Sequence, residues 1–467
     1  MRLIGDGARI VDVAGGRTLA GAGLTAAVTR EAEKLAALPE GVLFARTAVD
    51  LPGVLRYLGA FEGARAIALL DPALDTGALM TMVERFQPGA VLAAPEDEPP
   101  CGYVAKDGHW IRTEGGERPH PDLAVLMATS GSTGSPHFVR LSRDALLANA
   151  HGIAEVLAIG PDDVAPTSLP PHYAYGLSVL NSNLARGATV VVEPSGILSR
   201  AFWTAVTEHG CTSLAAVPYH YEMLRRLKFD PATYPRLRRL TQAGGKLRPE
   251  LVEEFGAKMR AVGGGLYVMY GQTEAGPRMA TMPADRLADK PDSVGLALPG
   301  GRFSIRHGDG SETTHPKITG EIVYRGPNVM MGYAEDAAAL TAGDELGGVL
   351  ATGDLGYLDE EGFLFVTGRL KRIGKVFGNR NSLDDLEQAA RAAAPDIEIV
   401  AAIAGDDKVV LFVEVTAGID DEVCRQASRA LGERLHLHPS GFDVRPIDAV
   451  PLLASGKIDY QALAGLV

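Results

Sequence analysis

A chain of 467 residues, 46% hydrophobic and 22% charged, has the size and composition of a globular protein with two or more domains. Its formal net charge of -13 argues against a general binder of nucleic acids or anionic membranes, because both ligands require a basic surface. Cys101, Cys211 and Cys424 have neither zinc spacing nor disulfide spacing, and no window approaches a membrane span. We therefore expect a soluble cytoplasmic protein that binds any polyanion in a local basic pocket.

The first 120 residues alternate short apolar runs with a helix-like stretch. Residues 66–70 and 90–94 are apolar runs that predict strands, and residues 78–86 between them predict a helix. This rhythm is typical of a parallel sheet covered by helices. Residues 96–121 are rich in proline, glycine and charge, and they predict a loop with one hairpin.

The same rhythm continues to about residue 275 and then changes. We predict strands at 123–127, 188–192 and 266–270, and helices at 143–157, 199–208, 220–227 and 249–259. Glycine-punctuated strands such as 320–324 follow residue 293 and indicate a small β-rich subdomain. Beyond a boundary near residue 369, the sequence predicts helices at 383–394 and 422–435 and strands at 397–403 and 409–415. These four elements indicate a compact α+β module.

The most distinctive stretch runs from Thr129 to Pro136, where five hydroxyls and two glycines fall in eight residues. It follows the predicted strand 123–127 and precedes the predicted helix 143–157. A strand, such a loop and a helix together turn backbone N–H groups and hydroxyls toward one point, which suits a polyphosphate. A plain turn is the alternative for this loop alone. No Gly-Lys-[Ser/Thr] follows, so the loop is not a Walker loop.

Five further blocks follow the loop in chain order. They read Leu169-Pro170-Pro171-His172-Tyr173-Ala174-Tyr175-Gly176, Gln242-Ala243-Gly244-Gly245-Lys246, Tyr270-Gly271-Gln272-Thr273-Glu274, Thr352-Gly353-Asp354 with Gly368-Arg369, and Ser455-Gly456-Lys457. The carboxylate of Glu274 closely follows a predicted strand, where open α/β folds bind their ligands. Each block alone has an ordinary alternative: a core histidine, a solvated turn or a surface lysine.

In this order and spacing, the blocks resemble those of the adenylate-forming superfamily, the AMP-dependent synthetase and ligase family. It includes acyl-CoA synthetases, nonribosomal peptide adenylation domains and luciferases. The resemblance covers residues 122–460 by motif. It implies an α/β fold with a large N-terminal adenylation core over residues 1–369, built of parallel-type sheets with helices plus the β-rich subdomain from about 293. A mobile C-terminal α+β lid domain would occupy residues 370–467.

The resemblance also implies roles for individual residues. Lys457 would bridge the substrate carboxylate and the α-phosphate, Glu274 with Thr129 would hold Mg²⁺ on ATP, and Thr273 and His172 would complete the catalytic set. Asp354 would accept hydrogen bonds from the ribose hydroxyls. The nucleotide-binding residues would be Thr129, Ser130, Gly131, Ser132, Thr133, Gly134, Gly244, Gly245, Lys246, Tyr270, Gly271, Gln272, Asp354, Arg369 and Lys375. Lys371 would be the pivot between the domains.

The activity implied is ATP-dependent activation of a carboxylic acid as an acyl-adenylate with release of pyrophosphate, followed by transfer to a thiol. CoA is the leading acceptor, a carrier protein the second and an amine the third. A catalytically impaired adenylate-binding protein and a P-loop phosphotransferase are the rivals from other classes. No nucleic acid or membrane partner is expected, and either a monomer or a homodimer is compatible with the sequence.

The sequence departs from the superfamily pattern after the phosphate loop. His137-Phe138 stands where a Lys-Gly pair is usual, and histidine is only partly charged near neutral pH. One interpretation is slower adenylation or weaker ATP binding. Another is that a neighbouring cation such as Arg140 contacts the pyrophosphate.

The acid is less clearly specified. Residues 172–178 contain no aspartate to meet an α-ammonium group, which disfavours an α-amino acid. Tyr173, Tyr175 and Tyr219 suggest a partly aromatic wall with polar tips. Two alternatives are open for Lys246: it contacts a second carboxylate of the acid, or it is a solvated turn residue.

Overall fold

The computed structural model describes residues 1–129, 137–370, 372–377, 379–394, 397–405, 408–415, 421–453 and 458–467. By their contacts, these residues form two compact units. The first comprises 1–303 and 324–350, and the second comprises 304–323 and 351–467. The predicted domain boundary between residues 369 and 370 differs from this division and stays a prediction.

The N-terminal third of the chain alternates strands and helices. Its elements are β1 (Arg9–Asp12), β2 (Arg17–Ala20), α1 (Gly21–Ala36), β3 (Leu43–Arg46), α2 (Leu51–Glu62), β4 (Ile67–Leu70), α3 (Thr76–Phe86), β5 (Ala90–Leu92), β6 (Tyr103–Lys106), β7 (His109–Arg112) and β8 (Leu123–Thr129). The strands predicted around residues 66–70 and 90–94 and the helix at 78–86 are found. The hairpin predicted within 96–121 is β6 with β7.

The middle of the chain continues the pattern. Its elements are β9 (His137–Ser142), α4 (Arg143–Val156), β10 (Val164–Pro166), α5 (Ala174–Ala185), β11 (Thr189–Val192), α6 (Arg200–Glu208), β12 (Ser213–Ala216), α7 (Pro218–Arg226), β13 (Arg239–Gln242), α8 (Pro249–Ala261), β14 (Gly265–Tyr270), β15 (Ala280–Thr281) and β16 (Leu296–Ala297). Ser142 caps α4, where its hydroxyl accepts a hydrogen bond from the Ala145 N–H.

The remaining elements are mostly strands until the last hundred residues. They are β17 (Arg302–Arg306), β18 (Glu312–Thr313), β19 (Gly320–Arg325), β20 (Gly332–Ala334), β21 (Val349–Leu358), β22 (Leu364–Arg369), β23 (Ile373–Val376), β24 (Asn379–Ser382), α9 (Leu383–Ala393), β25 (Ile397–Ala404), β26 (Val409–Val415), α10 (Asp421–Leu435), β27 (Phe442–Pro446) and α11 (Tyr460–Ala464). Gly353 and Gly356 lie within β21 and Gly368 lies within β22, whereas Gly362 lies in the connection between these two antiparallel strands.

Two mixed sheets carry the candidate site of the first unit. One has the order β20-β9-β8-β4-β3-β5-β7-β6, and the other has the order β12-β13-β14-β15-β16. The strands β3, β4, β5 and β8 are parallel, as are β12, β13 and β14. Every residue of β4 is buried, as expected for a parallel strand covered on both faces. The predicted α/β class is confirmed.

The second unit has its own sheet and core. The strands β25, β26 and β27 form a sheet against which α9 and α10 pack, with a core that includes Leu386, Val400, Leu411 and Leu431. The predicted α+β module is therefore present. Among the described residues, no helix is both long and apolar enough to cross a membrane.

One structural prediction at the phosphate loop was wrong. The loop was expected to lead from a strand into the N-terminus of a helix. Instead β8 pairs antiparallel with β9, with Thr129 opposite His137, and α4 begins only after β9 ends at Ser142. Residues 130–136 lie outside the described residues, but the strands that flank them form a hairpin. The N-terminus of α4 therefore does not directly follow the loop.

Candidate active site

Glu274 follows the carboxyl end of β14, in a short 3₁₀ turn over Thr273–Ala275. Tyr270 ends the strand, and Gly271 allows the chain to turn. A Cβ at Gly271 would lie only 1.8 Å from the carbonyl oxygen of Pro277, so no larger residue fits without a shift of the backbone. The Glu274 carbonyl accepts a hydrogen bond of 2.9 Å from the Met330 N–H, which fixes the turn from the other side.

Two buried asparagines hold the segment that contains Glu274. The side-chain amide of Asn149 on α4 donates to the carbonyls of Ala275 and Arg278, at 3.4 and 2.9 Å. The amide of Asn328 donates to the same two carbonyls, at 2.6 and 2.7 Å. Both asparagines are 3% exposed or less. Because buried hydrogen bonds are expensive to leave unmade, this asparagine clamp fixes the main chain immediately after Glu274.

The end of the β8–β9 hairpin lies beside Glu274. Tyr333 on β20 pairs with Val139 on β9, and its ring meets the His137 ring edge-on at 5.0 Å between centroids. The Tyr333 phenol donates a hydrogen bond of 2.8 Å to Oε1 of Glu274. Partial burial and then the negative charge of Glu274 raise the pKa of Tyr333, so the phenol keeps its proton.

The structure thus connects Glu274 to Thr129 through Tyr333 and His137, at the point where the phosphate loop begins and ends. Ser130, Gly131, Ser132, Thr133 and Gly134 lie outside the described residues. Tyr333 was missed in the sequence because it belongs to no motif and lies 59 positions from Glu274. The backbone of Thr129 occupies the last position of β8, two residues beyond the predicted end of that strand at residue 127.

Arg140 does not replace the missing loop lysine. Its side chain is fully buried and donates to the main-chain carbonyls of Met331, Tyr333, Ala342 and Gly343. Its remaining partner is the carboxylate of Glu345, at 2.6 Å. With its donors directed into the protein, Arg140 has a structural role, and the alternative that it contacts pyrophosphate was wrong.

The Gly-Gly block follows β13, the strand next to β14. Gly244 has φ +88°, a left-handed conformation that favours glycine, and a Cβ at Gly245 would lie 3.3 Å from the Pro218 ring. Gln242 ties the turn together by donating to the Gly245 carbonyl at 2.7 Å. Lys246 is exposed. Because β13 and β14 are parallel neighbours, this turn and Glu274 follow the same edge of one sheet.

His172 lies at a different sheet. Its Nδ1 is 3.0 Å from the carbonyl oxygen of Thr47, just beyond β3, and its Nε2 is 3.6 Å from Oδ2 of Asp71, just beyond β4. The Nε2 atom is buried, and no hydrogen-bond partner for it is found among the described residues. The structure thus places His172 against the β3 and β4 ends, and records no contact from it to Glu274 or Gly244. Its place in the catalytic set stays a prediction.

A small cavity lies between α5 and the strands β12 to β14. Tyr175 on α5, Thr241 on β13 and Met269 on β14 line it together with Arg278, and the Tyr175 and Thr241 hydroxyls are 2.8 Å apart. Burial raises the pKa of Tyr175, which therefore stays protonated. Two of its lining residues, Thr241 and Met269, precede the Gly244 and Gly271 turns on two neighbouring strands. Arg278 was missed in the sequence, where its only signal is a cation within the apolar run that follows Glu274.

In the second unit, the predicted ribose residues contact each other. Asp354 on β21 lies opposite Arg369 on β22, and Arg369 Nε donates to Oδ1 of Asp354 at 3.1 Å. The aspartate is 3% exposed, and its own N–H donates to the hydroxyl of Thr352 at 3.1 Å. Lys375 on β23 is exposed. Lys371 and the Lys457 segment, 454–457, lie outside the described residues, although the flanking Leu452 and Ile458 form an antiparallel bridge.

The described residues fit a magnesium ion that is shared with phosphates rather than one held by protein alone. No group of three or more histidine, cysteine, aspartate or glutamate side chains that could hold a metal is found among them. Glu274 offers a carboxylate with one oxygen bound by Tyr333. Magnesium commonly takes one or two carboxylates with substrate phosphates and water, so this donor set suits Mg²⁺ on a nucleotide.

Comparison with known proteins agrees with this geometry. Residues 64–334 match the family described as AMP-binding enzyme. The oxalate–CoA ligase of Arabidopsis thaliana is 32% identical over a match that covers 74% of this chain and 68% of the relative. The indoleacetate–CoA ligase of Aromatoleum aromaticum is 30% identical over 87% of this chain and 78% of the relative.

A solved structure shares the fold at lower sequence identity. The O-succinylbenzoate coenzyme A synthetase of Bacillus subtilis, in complex with ATP and a magnesium ion, is 24% identical. It superposes with a TM-score of 0.76 over 96% of this chain and 94% of its own. The match extends over both N- and C-terminal parts of the chain.

Proposed function

This chain belongs to the AMP-binding enzyme family, and on that premise we propose that it is an AMP-forming acid–CoA ligase. In the first step, the carboxylate oxygen of the acid attacks the α-phosphorus of ATP. The new O–P bond replaces the bond to the β-phosphate, and pyrophosphate leaves. In the second step, the CoA thiolate attacks the acyl carbon, the carbonyl–phosphate bond breaks and AMP leaves. A thioester, AMP and pyrophosphate are the products.

The observation that carries the proposal is the contact between Glu274 and the β8–β9 hairpin through Tyr333. It supports a site in which a carboxylate faces the ends of a hydroxyl-rich loop. Bound Mg²⁺ would neutralise phosphate charge, and Glu274 with the Thr129 hydroxyl would hold it there. Lys457 would supply the positive charge between the two anions that approach each other in the first step.

The sequence motifs also supply candidate ligands for the nucleoside. The Gly244–Gly245 turn would lie along adenine, and Asp354, oriented by Arg369, would accept from the ribose hydroxyls. An ionised acceptor makes hydrogen bonds about twice as strong as a neutral one. Tyr270, Gly271, Gln272 and Thr273 would line the phosphate side. Lys246 and Lys375 would contribute exposed positive charge.

CoA is the proposed acceptor because the relatives above are named as CoA ligases. Their names include one acid with two carboxylates, oxalate, and one with a single carboxylate, indoleacetate. The names therefore leave the acid of this chain open, and a carrier protein or an amine remains the alternative acceptor.

The test is ATP–pyrophosphate exchange with a panel of carboxylic acids and the full chain. We expect acid-dependent exchange, AMP as the nucleotide product, and a thioester when CoA is added. Glu274→Gln and Lys457→Ala should each lower exchange by about 10²-fold or more, since each removes a preorganised charge. Glu250→Gln, an exposed carboxylate in the first turn of α8, is the matched control and should leave exchange unchanged.

The second candidate is an adenylate-binding protein without ligase activity, which His137 in place of a lysine favours. Tight ATP binding with no exchange for any acid would support that candidate. Release of ADP rather than AMP would instead indicate a phosphotransferase.

A further inference from the structure

Arg278 is a buried cation without a carboxylate partner. Arg278 is 3% exposed, and no acidic side chain among the described residues lies within ion-pair distance of its guanidinium group. Its recorded contact is the face of the Tyr175 ring, 3.7 Å from the guanidinium carbon to the ring centroid, and the Tyr175 hydroxyl itself lies 2.8 Å from that of Thr241. The buried Nε has no hydrogen-bond acceptor there. Burial of an uncompensated charge is costly, so this arrangement is unusual.

The other buried arginines of the described chain show the contrast. Arg140 pairs with Glu345 at 2.6 Å, and Arg239, which lines the same cavity as Arg278, pairs with Asp163. Each of these two guanidinium groups thus has a carboxylate next to it. Arg278 has the same burial and lacks that group.

The surroundings of Arg278 have room for an additional oxygen-bearing group. The cavity that it lines with Tyr175, Thr241 and Met269 holds about one water-sized group in the present side-chain arrangement. It lies beneath the strand ends that lead into the Gly244 and Gly271 turns. Tyr175 on α5 belongs to the partly aromatic wall that the sequence suggested for the acid.

We infer that Arg278 binds a second anionic group at the far end of the acid substrate. The substrate class is a compact acid with one carboxylate to be activated and another carboxylate or sulfonate that pairs with the guanidinium. Arg278 then determines which acid is accepted, and it takes no part in the bond changes. The inference rests on the proposed function, because it concerns the acid that the ligase activates.

The position of Arg278 suits this role. The asparagine clamp of Asn149 and Asn328 binds its carbonyl, so the main chain cannot move to follow a poorly placed substrate. The Tyr175 ring holds the guanidinium plane from one side. A planar guanidinium that is fixed in this way can bind a carboxylate through two parallel hydrogen bonds. The alternative is that a buried water, rather than an anion, satisfies Nε.

The experiment compares matched acids that differ only in the second group: oxalate with oxamate, malonate with malonamate, and succinate with succinamate. ATP–pyrophosphate exchange is measured for the wild-type chain, Arg278→Gln and Arg278→Lys. Arg200→Gln, an exposed arginine at the start of α6, is the matched control. A thermal shift with each acid in the absence of ATP gives a second readout.

We expect the wild-type kcat/KM to favour the doubly anionic member of at least one pair by about 30-fold, within the range of a charge-assisted hydrogen bond. Arg278→Gln should remove that preference, so that the kcat/KM values for the two members of a pair differ by no more than about threefold. Arg278→Lys should retain part of the preference. Equal loss for both members of every pair, or no preference in the wild type, would show that Arg278 is structural or hydrated and overturn the inference.

Failure of the proposed function is distinguishable. If no acid supports exchange but a doubly anionic acid raises the melting temperature of the wild type and not of Arg278→Gln, the anion site stands and the ligase activity does not. If monocarboxylic acids are activated and second charges have no effect, the ligase activity stands and the anion site fails. Should Arg278→Gln not fold, the wild-type comparison of matched acids alone decides, and an absent preference refutes the site.

Discussion

The phenol of Tyr333 donates a hydrogen bond to Oε1 of Glu274 across 2.8 Å, and through it a carboxylate on one sheet is held beside a hairpin of another. The bond fixes the position of Oε1 in the carboxylate that we propose as a magnesium ligand. The same ring contacts His137 edge-on. Tyr333 is therefore a positioning residue for the proposed magnesium ligand.

Tyr333→Phe should weaken magnesium use without unfolding the protein. The ring contact with His137 remains, whereas Glu274 loses one fixed donor, worth about 1 kcal/mol or somewhat more for a charged acceptor. We expect the Mg²⁺ concentration for half-maximal exchange to rise about 5- to 10-fold, and the melting temperature to change little. Tyr357→Phe, which removes the hydroxyl of a ring stacked on Phe365 in the second unit, is the matched control. An unchanged Mg²⁺ dependence would contradict the positioning role.

His137→Lys should retain or raise ATP-dependent activity. A lysine at the end of the β8–β9 hairpin would carry a permanent positive charge beside the proposed phosphate loop. The gain should appear as a lower KM for ATP. The measurement is exchange against ATP concentration, with His137→Ala as the comparison. A loss of more than about tenfold, equivalent to about 1.4 kcal/mol of barrier, would show that the histidine itself is required.

Arg140→Met should destabilise the first unit strongly. The substitution leaves the carbonyls of Met331, Tyr333 and Ala342 without their donor and Glu345 without its partner. A buried acceptor left without its donor typically costs about 1 to 3 kcal/mol, whereas the exposed Glu345 carboxylate can be solvated. Thermal unfolding should show a marked fall in the melting temperature. Arg200→Met, at an exposed site, should show almost none, and a similarly small effect at Arg140 would refute its structural role.

His220 should make the protein less stable in mild acid. Burial on α7 lowers its pKa to about 4, compared with an ordinary value of about 6.5, so the folded protein prefers the neutral ring. The unfolded chain therefore binds more protons between these two values. The stabilisation is complete above about pH 6.5 and is lost as the pH falls toward 4, by on the order of 2 to 3 kcal/mol.

The check compares the melting temperature of the wild type and His220→Asn between pH 7.5 and 4.5. The variant should lose less stability over this range, because asparagine does not titrate. Parallel curves for the two proteins would mean that His220 is accessible to protons in the folded state.

The sequence predicted the parts of the site that lie within short motifs. Glu274 follows a buried strand and Asp354 faces Arg369, because local chain geometry alone brings those residues to their positions. Tyr333 and Asn328 could not be predicted, since they reach the Glu274 segment only through tertiary packing. The strand β9 was missed because Arg140 interrupts its apolar pattern, and the buried acceptors that make this arginine acceptable come from residues 331–345.

The asparagine clamp has a consequence for how this protein could acquire new substrates. Asn149 and Asn328 bind carbonyl groups at Ala275 and Arg278, not side chains, so these four hydrogen bonds do not depend on which amino acid occupies position 278. Selection, natural or in the laboratory, can therefore exchange the side chain that we propose to face the acid and keep the hydrogen bonds that follow the proposed metal ligand. A saturation library at this one codon would show which side chains the buried position accepts and which acids each variant activates.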